Sequence, residues 1–197
     1  MSSSLSDELR KQIRRQRSKQ TKAIQQQLSK QAIRHLSRHR IFRSAQTIAL
    51  YLPVRGEADP RFLLKFAQPK QRFFLPVLSL SRDSKLIFVE WTRQTSFRKN
   101  RFNIPEPLLA KRRILSPRQL DLVITPLVAF DKQGSRLGMG GGFYDRSFAA
   151  KHYLKCKRPL LVGFAYPFQE LESLERQAWD IPLDASCTAE RLSFYQY

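Results

Sequence analysis

Continuous apolar runs, separated by helix-like stretches, constrain the fold of this chain more than any other sequence feature. The clearest runs cover residues 47–52, 122–125 and 160–165, and the first two stop at a proline. A short continuous apolar run is typical of a strand buried on both faces, as in a parallel sheet. Apolar segments at residues 73–77 and 86–91 predict two further strands. Because helical patterns lie between these strands, we expect an α/β fold with a mostly parallel sheet wrapped by helices.

A basic helical segment precedes the first strand. Apolar residues recur at helical spacing from Leu5 and again from Ile24, which indicates two amphipathic helices or one helix broken near Thr21. The sequence contains no internal repeat and no clear domain boundary. We therefore predict a single domain over residues 1–197, in which a helical segment, 1–43, packs on an α/β core, 44–197.

Three other segments carry predictions. Residues 60–66 and 143–152 are predicted to be helical, and residues 127–130 to extend the strand at 122–125 past Pro126. The stretch 92–117 is basic, contains prolines and lacks periodicity. Because a long irregular segment inside a compact domain is commonly functional, we interpret 92–117 as a loop or lid.

The charge of the chain is unevenly distributed. The formal net charge is +20, and residues 10–43 contain twelve Lys and Arg but no Asp or Glu. A basic arm of this kind attracts polyanions, such as nucleic acid, nucleotide phosphates or a polyglutamylated small molecule. The alternative is a solvated helix face in a generally basic protein.

Composition excludes several classes of protein. No apolar run approaches the roughly 18 residues that span a bilayer, and the first residues lack the apolar centre of a secretory signal. The cysteines, Cys156 and Cys187, are far apart and form no CxxC, which excludes a disulfide scaffold and standard zinc spacings. We expect a cytoplasmic protein without membrane association, in which both cysteines are unreactive packing residues.

A glycine block is the most informative motif. Four of the seven glycines fall within five positions of the sequence RLGMGGGFYDR at 136–146. Glycines permit positive φ and a close approach of backbone to ligand, and the N–H groups of a following helix point at anions. We interpret the block as a phosphate cradle, although it is neither a Walker A loop nor GxGxxG. A merely flexible strand-to-helix turn is the alternative.

Asp145 follows the glycine block in the first turn of the predicted helix. Its carboxylate either complements the positive end of the helix dipole or holds Mg²⁺ against bound phosphates. The spacing alone does not decide between these roles. Glu57 lies just past a buried strand, where ligand crevices of α/β sheets form.

Three stretches together resemble the 5-formyltetrahydrofolate cyclo-ligase family, also called 5,10-methenyltetrahydrofolate synthetases. They are DLVITPLVAFD at 121–131, RLGMGGGFYDR at 136–146 and WDIPLD at 179–184. Supporting pieces occur in the same order, namely Leu9-Arg10, LPVRGE at 52–57 and NIPEP at 103–107. The resemblance spans nearly the whole chain.

The resemblance implies a Rossmann-like three-layer sandwich and an ATP- and Mg²⁺-dependent ring closure of 5-formyltetrahydrofolate to 5,10-methenyltetrahydrofolate, with release of ADP and phosphate. The implied reaction requires no nucleophilic serine or cysteine. The resemblance identifies no certain catalytic residue. The implied partners are ATP and a reduced folate, and we expect a monomer without a specific nucleic-acid partner.

The resemblance also implies site residues. The residues implied to bind ATP lie in the N-terminal helix and the glycine block: Arg10, Arg14, Arg136, Leu137, Gly138, Met139, Gly140, Gly141, Gly142, Phe143 and Tyr144. Arg14 is included because Asp7 and Ser6 stand where the family commonly has a lysine. The residues implied to bind the folate substrate are Leu52, Glu57, Phe102, Met139, Gly140, Gly141, Gly142 and Phe143. Among these, Phe102 would provide a stacking face for the pterin. Asp145 and Asp184 are the implied Mg²⁺ ligands.

Two other classes of function compete with the ligase. The basic arm and the sequence FRKNRF at 97–102, in which aromatics flank cations, are compatible with a basic nucleic-acid-binding protein. A sugar-phosphate isomerase of similar architecture rests on fold analogy alone. The glycine block with its flanking acids favours the ligase, since a nucleic-acid binder has no need of Asp145 and Asp184 beside a phosphate loop.

Overall fold

The structure is a computed structural model that describes residues 2–79, 85–109, 113–154 and 156–196. Its α-helices are α1 (Ser2–Ser18), α2 (Lys22–Arg38), α3 (Arg40–Ser44) and α4 (Phe143–Tyr153). The strands are β1 (Thr47–Ala49), β2 (Arg72–Leu78), β3 (Leu86–Glu90), β4 (Phe97–Lys99), β5 (Pro105–Pro107), β6 (Ile114–Leu115), β7 (Leu122–Thr125), β8 (Ala129–Asp131), β9 (Arg136–Leu137), β10 (Leu160–Phe164), β11 (Glu170–Leu171), β12 (Ala185–Cys187) and β13 (Leu192–Phe194). Short 3₁₀ turns cover Pro60–Phe66, Pro117–Gln119 and Pro167–Gln169.

The main sheet has eight strands in the order β13-β12-β10-β7-β1-β2-β3-β6. Its five central strands, β12 to β2 in that order, run parallel to one another. The outer strands β13, β3 and β6 pair antiparallel. The predicted α/β class with a mostly parallel sheet is therefore confirmed.

Alternate residues of the central strands enter two separate cores, one on each face of the sheet. In β7, Leu122 and Ile124 pack in one core and Val123 packs in the other. The first core includes α2 and α3, and the second includes Phe148 of α4. Since successive side chains of a strand point to opposite faces, these continuous apolar runs are what a sheet covered on both faces requires.

The N-terminal helices divide where the sequence predicted a break. Thr21 caps α2, with its Oγ1 accepting a hydrogen bond from the Ile24 N–H at 3.3 Å. A threonine hydroxyl at this position satisfies one of the free N–H groups of a helix start. Helix α2 then buries Ala32, Ile33 and Leu36 against the sheet. The single-domain organisation stays a prediction.

Asp121, just before β7, fastens the start of β1. Its Oδ2 accepts hydrogen bonds from the N–H groups of Gln46 and Thr47 at 2.9 and 3.0 Å and from the Thr47 hydroxyl at 3.1 Å. Its Oδ1 accepts from Arg158 at 2.6 Å. These bonds set the register of the two strands at the centre of the sheet.

Several predicted segments differ from the structure. Residues 127–130 do not extend β7, because β8 leaves the main sheet after Pro126 and forms a three-stranded sheet with β9 and β11. The predicted helix at 60–66 is a 3₁₀ turn. Strands β12 and β13 were not predicted, since each is only three residues long and too short for a periodic signal.

The stretch 92–117 is more ordered than a loop. Strands β4 and β5 pair antiparallel in a hairpin, and β6 adds an edge strand to the main sheet. Residues 110–112, part of the predicted lid, lie outside the described residues.

The structure also bears on the predictions about membrane-spanning helices and about the two cysteines. Within the described ranges, no helix is both long and apolar enough to cross a bilayer. Cys187 is buried, as a packing residue should be, and burial raises the pKa of its thiol to about 12. The same prediction is wrong for Cys156, which is exposed.

Candidate active site

A cavity of about 1460 Å³ opens beside the carboxyl ends of β1 and β7. The strand order of the main sheet reverses at this pair, since β2 lies on one side of β1 and β10 on the other side of β7. Ligands of open α/β sheets bind in the crevice at such a point. The cavity exceeds the roughly 300–1,000 Å³ typical of a site for one small molecule.

Nearly all the predicted site residues line this one cavity. They come from distant parts of the chain: Arg10, Arg14, Leu52, Glu57, Phe102, Arg136, Leu137, Gly138, Met139, Gly140, Gly141, Gly142, Phe143, Tyr144 and Asp145. Asp184 is not among the residues that line it. The fold therefore brings the glycine block, the N-terminal helix and the loop after β1 together.

The glycine block connects β9 to α4 and forms one wall of the cavity. Gly140 and Gly142 have φ of +96° and +61°, which favour glycine, whereas Gly138 and Gly141 lie outside the positive region. Gly141 is required for a different reason, because an added Cβ would lie 2.6 Å from Cε2 of Phe143. Helix α4 begins directly after the block, and its N-terminal N–H groups provide the partial positive charge that anions prefer.

Two arginines of α1 contact the glycine block. Arg10 Nε donates a hydrogen bond to the Gly138 carbonyl at 3.0 Å, and its Nη1 pairs with Asp7 at 2.8 Å. Arg14 Nη2 lies 3.6 Å from Met139 Sδ, while the buried Arg14 Nε has no acceptor among the residues described. Burial, together with nearby arginines, lowers the pKa of Arg14. The basic arm therefore contributes Arg10 and Arg14 to the lining of the cavity.

The Asp145 carboxylate forms an ion pair with Arg136, which lines the same cavity. Its Oδ1 accepts from Arg136 Nη2 at 2.6 Å and from the Ile181 N–H at 3.3 Å. Its Oδ2 receives no hydrogen bond from the residues that the structure describes, so this oxygen of a cavity-lining carboxylate remains for a ligand. The Arg136 guanidinium also lies 5.7 Å from the Tyr144 ring centroid.

Asp184 has a different environment. Its Oδ1 accepts from Lys151 Nζ at 2.9 Å and its Oδ2 from the Leu161 N–H at 2.6 Å, so both oxygens are engaged away from the cavity lining. No cluster of three His, Cys, Asp or Glu arranged to hold a metal occurs among the described residues. The geometry fits Asp145 as a Mg²⁺ ligand better than Asp184.

Glu57 is buried, with 8% of its surface exposed, although it lines the cavity. Its Oε2 accepts a hydrogen bond from the Val54 N–H at 3.0 Å, and its Oε1 lies 3.9 Å from Arg17 Nη1. Burial raises the pKa of this carboxyl group, against the opposing effects of the Val54 hydrogen bond and of nearby arginines. The loop turns sharply here, with φ of +50° at Arg55 and +75° at Gly56.

The β4–β5 hairpin supplies an aromatic wall. Phe102 is half exposed and meets Phe143 edge to face, with ring centroids 5.8 Å apart. Glu106 anchors the hairpin, because its Oε1 accepts from the Asn100 side chain at 2.7 Å and from the Leu78 N–H at 3.1 Å. The anchor sets Phe102 beside the glycine block.

Sequence reasoning missed several lining residues. Arg55 and Arg146 add positive charge, and Trp179 stands 64% exposed at the rim. Arg146 Nη2 also donates to the Gly141 carbonyl at 2.6 Å. The signals were present, since Arg55, Arg146 and Trp179 lie within the motifs LPVRGE, RLGMGGGFYDR and WDIPLD.

The fold and the site define an α/β protein with a large cavity lined by arginines, aromatic rings and a glycine-rich turn. The sequence model of the 5-formyltetrahydrofolate cyclo-ligase family matches residues 2–189, so the chain belongs to this family.

Individual relatives agree. The chain is 38% identical over 181 residues to the 5-formyltetrahydrofolate cyclo-ligase of Escherichia coli K12, covering 91% of this chain and 98% of that protein. It is 37% identical over 177 residues to the Haemophilus influenzae protein of the same name, covering 89% and 93%. The solved 5,10-methenyltetrahydrofolate synthetase of Aquifex aeolicus superposes with a TM-score of 0.80 at 32% identity, covering 98% of this chain and 94% of that one.

Proposed function

We propose that this chain closes 5-formyltetrahydrofolate to 5,10-methenyltetrahydrofolate with ATP, releasing ADP and phosphate, and that both substrates bind in the cavity described above. Membership of the cyclo-ligase family supports the activity. The observation that carries the assignment of the site is that one cavity, larger than a single ligand needs, joins an anion cradle to an aromatic pocket.

The nucleotide half of the proposed site is the glycine block with α1 and α4. Its support is the concentration of positive charge, to which Arg10, Arg14, Arg55, Arg136 and Arg146 all contribute. Burial lowers the pKa of Arg14, and repulsion from the neighbouring arginines lowers it further. A bound polyphosphate would relieve that repulsion and offer an acceptor to Arg14 Nε.

The folate half lies between Glu57 and Phe102. A pterin ring presents N–H donors along its edge and a flat π-face, which suit a buried carboxylate and an exposed phenyl ring. Leu52, five residues before Glu57, supplies apolar surface to the same cavity. This arrangement would place the folate against the Gly141–Phe143 end of the glycine block.

Mg²⁺ is part of the proposal. Asp145 Oδ2 would hold it, and Asp184 would join only by exchanging Lys151 or the Leu161 N–H for the metal. When bound, Mg²⁺ neutralises phosphate charge and orients the γ-phosphate.

The reaction asks the protein for positioning and charge neutralisation more than for a nucleophile. The oxygen of the formyl group on N5 attacks the γ-phosphorus of ATP, and ADP leaves. Folate N10 then attacks the formyl carbon of the resulting imidate phosphate, loses its proton, and phosphate departs with the former formyl oxygen. Arginines of the nucleotide half would stabilise the charge on the transferring group, and Glu57 would fix the pterin for both steps.

The test is an activity assay with purified protein. Mixing it with 5-formyltetrahydrofolate and MgATP should give the ultraviolet absorbance of the methenyl product together with equal amounts of ADP. Omission of either substrate should abolish both signals. ADP formation without folate, or no methenyl product, would contradict the proposal.

A monomeric, cytoplasmic protein without a specific nucleic-acid partner remains part of the proposal. Its support includes the cysteines, which are unpaired among the described residues, as in a reducing compartment. The place of Arg10 and Arg14 in the cavity lining also argues against an arm built only for nucleic acid.

A further inference from the structure

Arg17, in the last turn of α1, is a buried cation without a hydrogen-bond acceptor. Its side chain is 1% exposed, and Nε, Nη1 and Nη2 receive no acceptor from the part of the chain that the structure describes. A guanidinium group carries its charge at every relevant pH, and burying it is costly unless a partner compensates. The position of Arg17 therefore calls for a reason.

That reason is the carboxylate of Glu57. Arg17 Nη1 and Glu57 Oε1 are 3.9 Å apart, and both side chains are almost completely buried. Glu57 lines the cavity whereas Arg17 does not, so the arginine approaches the carboxylate from its protein side. Glu57 thus has a cation behind it and ligand space in front of it.

The surroundings hold this pair in place. Gln25 Nε2 donates to the backbone carbonyls of Arg17 and Gln20 at 3.3 and 3.2 Å, which ties the end of α1 to α2. Gln25 Nε2 would also lie 2.8 Å from a Cβ added to Gly56, next to Glu57. Tyr166 Oη donates to the Gly56 carbonyl at 3.2 Å. Arg17 and the Glu57 loop are therefore parts of one packed unit.

The charge balance at Glu57 also depends on this arrangement. Burial raises the pKa of Glu57, while the Val54 hydrogen bond, Arg17, Arg55 and Arg14 lower it. The other titratable groups that act electrostatically with Glu57 are the phenols of Tyr51, Tyr144 and Tyr166. Burial raises the pKa of each phenol, so all three are neutral near pH 7.

We infer that Arg17 is a positioning residue for folate binding: it keeps the buried Glu57 ionised and oriented toward the pterin from outside the cavity. This inference rests on the proposed function, since it takes Glu57 as the folate contact. Arg17 does not line the cavity, so we expect its effect on substrate binding to pass mainly through Glu57.

The experiment compares four variants in steady-state kinetics: Arg17→Met, Arg17→Lys, Glu57→Gln and the double variant Arg17→Met/Glu57→Gln. Arg17→Met should raise the KM for 5-formyltetrahydrofolate about tenfold, the typical effect of one lost charge-assisted interaction, with the KM for ATP nearly unchanged. Arg17→Lys should recover part of the loss. Arg15→Met is the matched control, because Arg15 is an exposed cation of the same helix.

Two readouts separate positioning from a structural role. In a double-mutant cycle, the double variant should bind folate no worse than Glu57→Gln alone. In a pH profile, Arg17→Met should move the acid limb of kcat/KM for folate to higher pH, because Glu57 without its cation protonates more readily. A variant with both charges removed should fold even if Arg17→Met does not, since replacing a whole buried ion pair is often tolerated.

The outcomes are distinguishable. If Glu57→Gln leaves the folate KM unchanged, the proposed folate site and this inference both fail. If Glu57→Gln weakens folate binding but Arg17→Met does not, the inference alone is overturned. The same holds if Arg17→Met weakens ATP binding as much as folate binding. An unshifted pH profile in a folded Arg17→Met protein would also overturn it.

Discussion

Arg10 and Gly138, 128 residues apart in sequence, are joined by a hydrogen bond of 3.0 Å from the arginine Nε to the glycine carbonyl. The contact closes the cavity between the N-terminal helix and the glycine block. It also turns one cation of a long basic arm into a part of the proposed nucleotide site.

Arg10→Ala should raise the KM for ATP about tenfold to a hundredfold, because a hydrogen bond to a charged group contributes roughly 1.5–3 kcal/mol. The KM for folate should change much less, since Arg10 contacts the glycine block and not the Glu57 wall. Steady-state kinetics with each substrate varied in turn would measure the difference.

The control reverses two other cations of the arm, Arg38 and Arg40, which are exposed. Turnover of the variant Arg38→Glu/Arg40→Glu should match the parent protein. A nucleic-acid-binding function would give the opposite ranking, with loss of salt-resistant binding in the double reversal and none in Arg10→Ala.

Gly141→Val should weaken the binding of both substrates, while the protein remains folded. The reason is steric, since any Cβ at this position would displace the Phe143 ring, which packs edge to face against Phe102. Isothermal titration with ATP and with folate, beside a thermal unfolding curve, would test this. Wild-type affinity for both ligands in a folded variant would contradict the assigned cradle.

Asp145→Asn should greatly increase the Mg²⁺ concentration needed for half-maximal activity. The substitution retains the shape of the side chain but removes the charge that pairs with Arg136 and faces the cavity. A Mg²⁺ titration of initial rates is the measurement, and an unchanged titration curve would rule out Asp145 as a ligand.

Asp184→Asn provides the comparison. We expect a smaller change in Mg²⁺ requirement and a lower midpoint of thermal unfolding, because Asp184 bridges Lys151 and β10. A Mg²⁺ shift as large as that of Asp145→Asn would establish Asp184 as an equal metal ligand.

Asp121 should make stability depend on acid pH. Partial burial raises the pKa of its carboxyl group, but hydrogen bonds from Gln46 and Thr47 and the charge of Arg158 outweigh this, so the net pKa is lowered. A carboxyl group with a lowered pKa in the folded state stabilises the protein above its unfolded pKa of about 3.9. That contribution is lost as the pH falls from there through the folded pKa.

Asp121→Asn should therefore lower the unfolding midpoint at pH 7, and the difference from the parent should shrink below about pH 4. Thermal melts across this range would measure it. Glu172→Gln is the control, since Glu172 is an exposed acid whose pairing with Lys132 lies in solvent. A difference that persists unchanged at low pH would contradict the role of the ionised carboxylate.

The sequence predicted the centre of the fold well because its signals there are local. Leu122, Val123 and Ile124 form a continuous apolar run, and Thr21 is a standard helix cap, so each signal could be recognised within a few residues. Strands β12 and β13 could not, because three-residue strands are specified by pairing partners rather than by their own pattern. For the same reason nothing in residues 127–130 indicated that β8 joins a second sheet.

The candidate site shows the same division. The glycine block, Asp145 and the position of Glu57 after a strand were visible in the sequence, and the family resemblance added Phe102 and the substrate role of Glu57. Arg17 was hidden, since it is one of twelve cations in a basic arm and only its burial distinguishes it. The engagement of Asp184 by Lys151 was equally invisible, because it depends on how α4 lies over β10.

The walls of the cavity are drawn from Leu5 at one extreme to Asp180 at the other. A ribosome releases α1 long before it makes the glycine block, so Arg10 can contact Gly138 only after the segment that separates them has been synthesised. Truncated translation products that end before α4 consequently lack the wall that Arg10 completes. The proposed nucleotide site therefore cannot form until the glycine block has been synthesised.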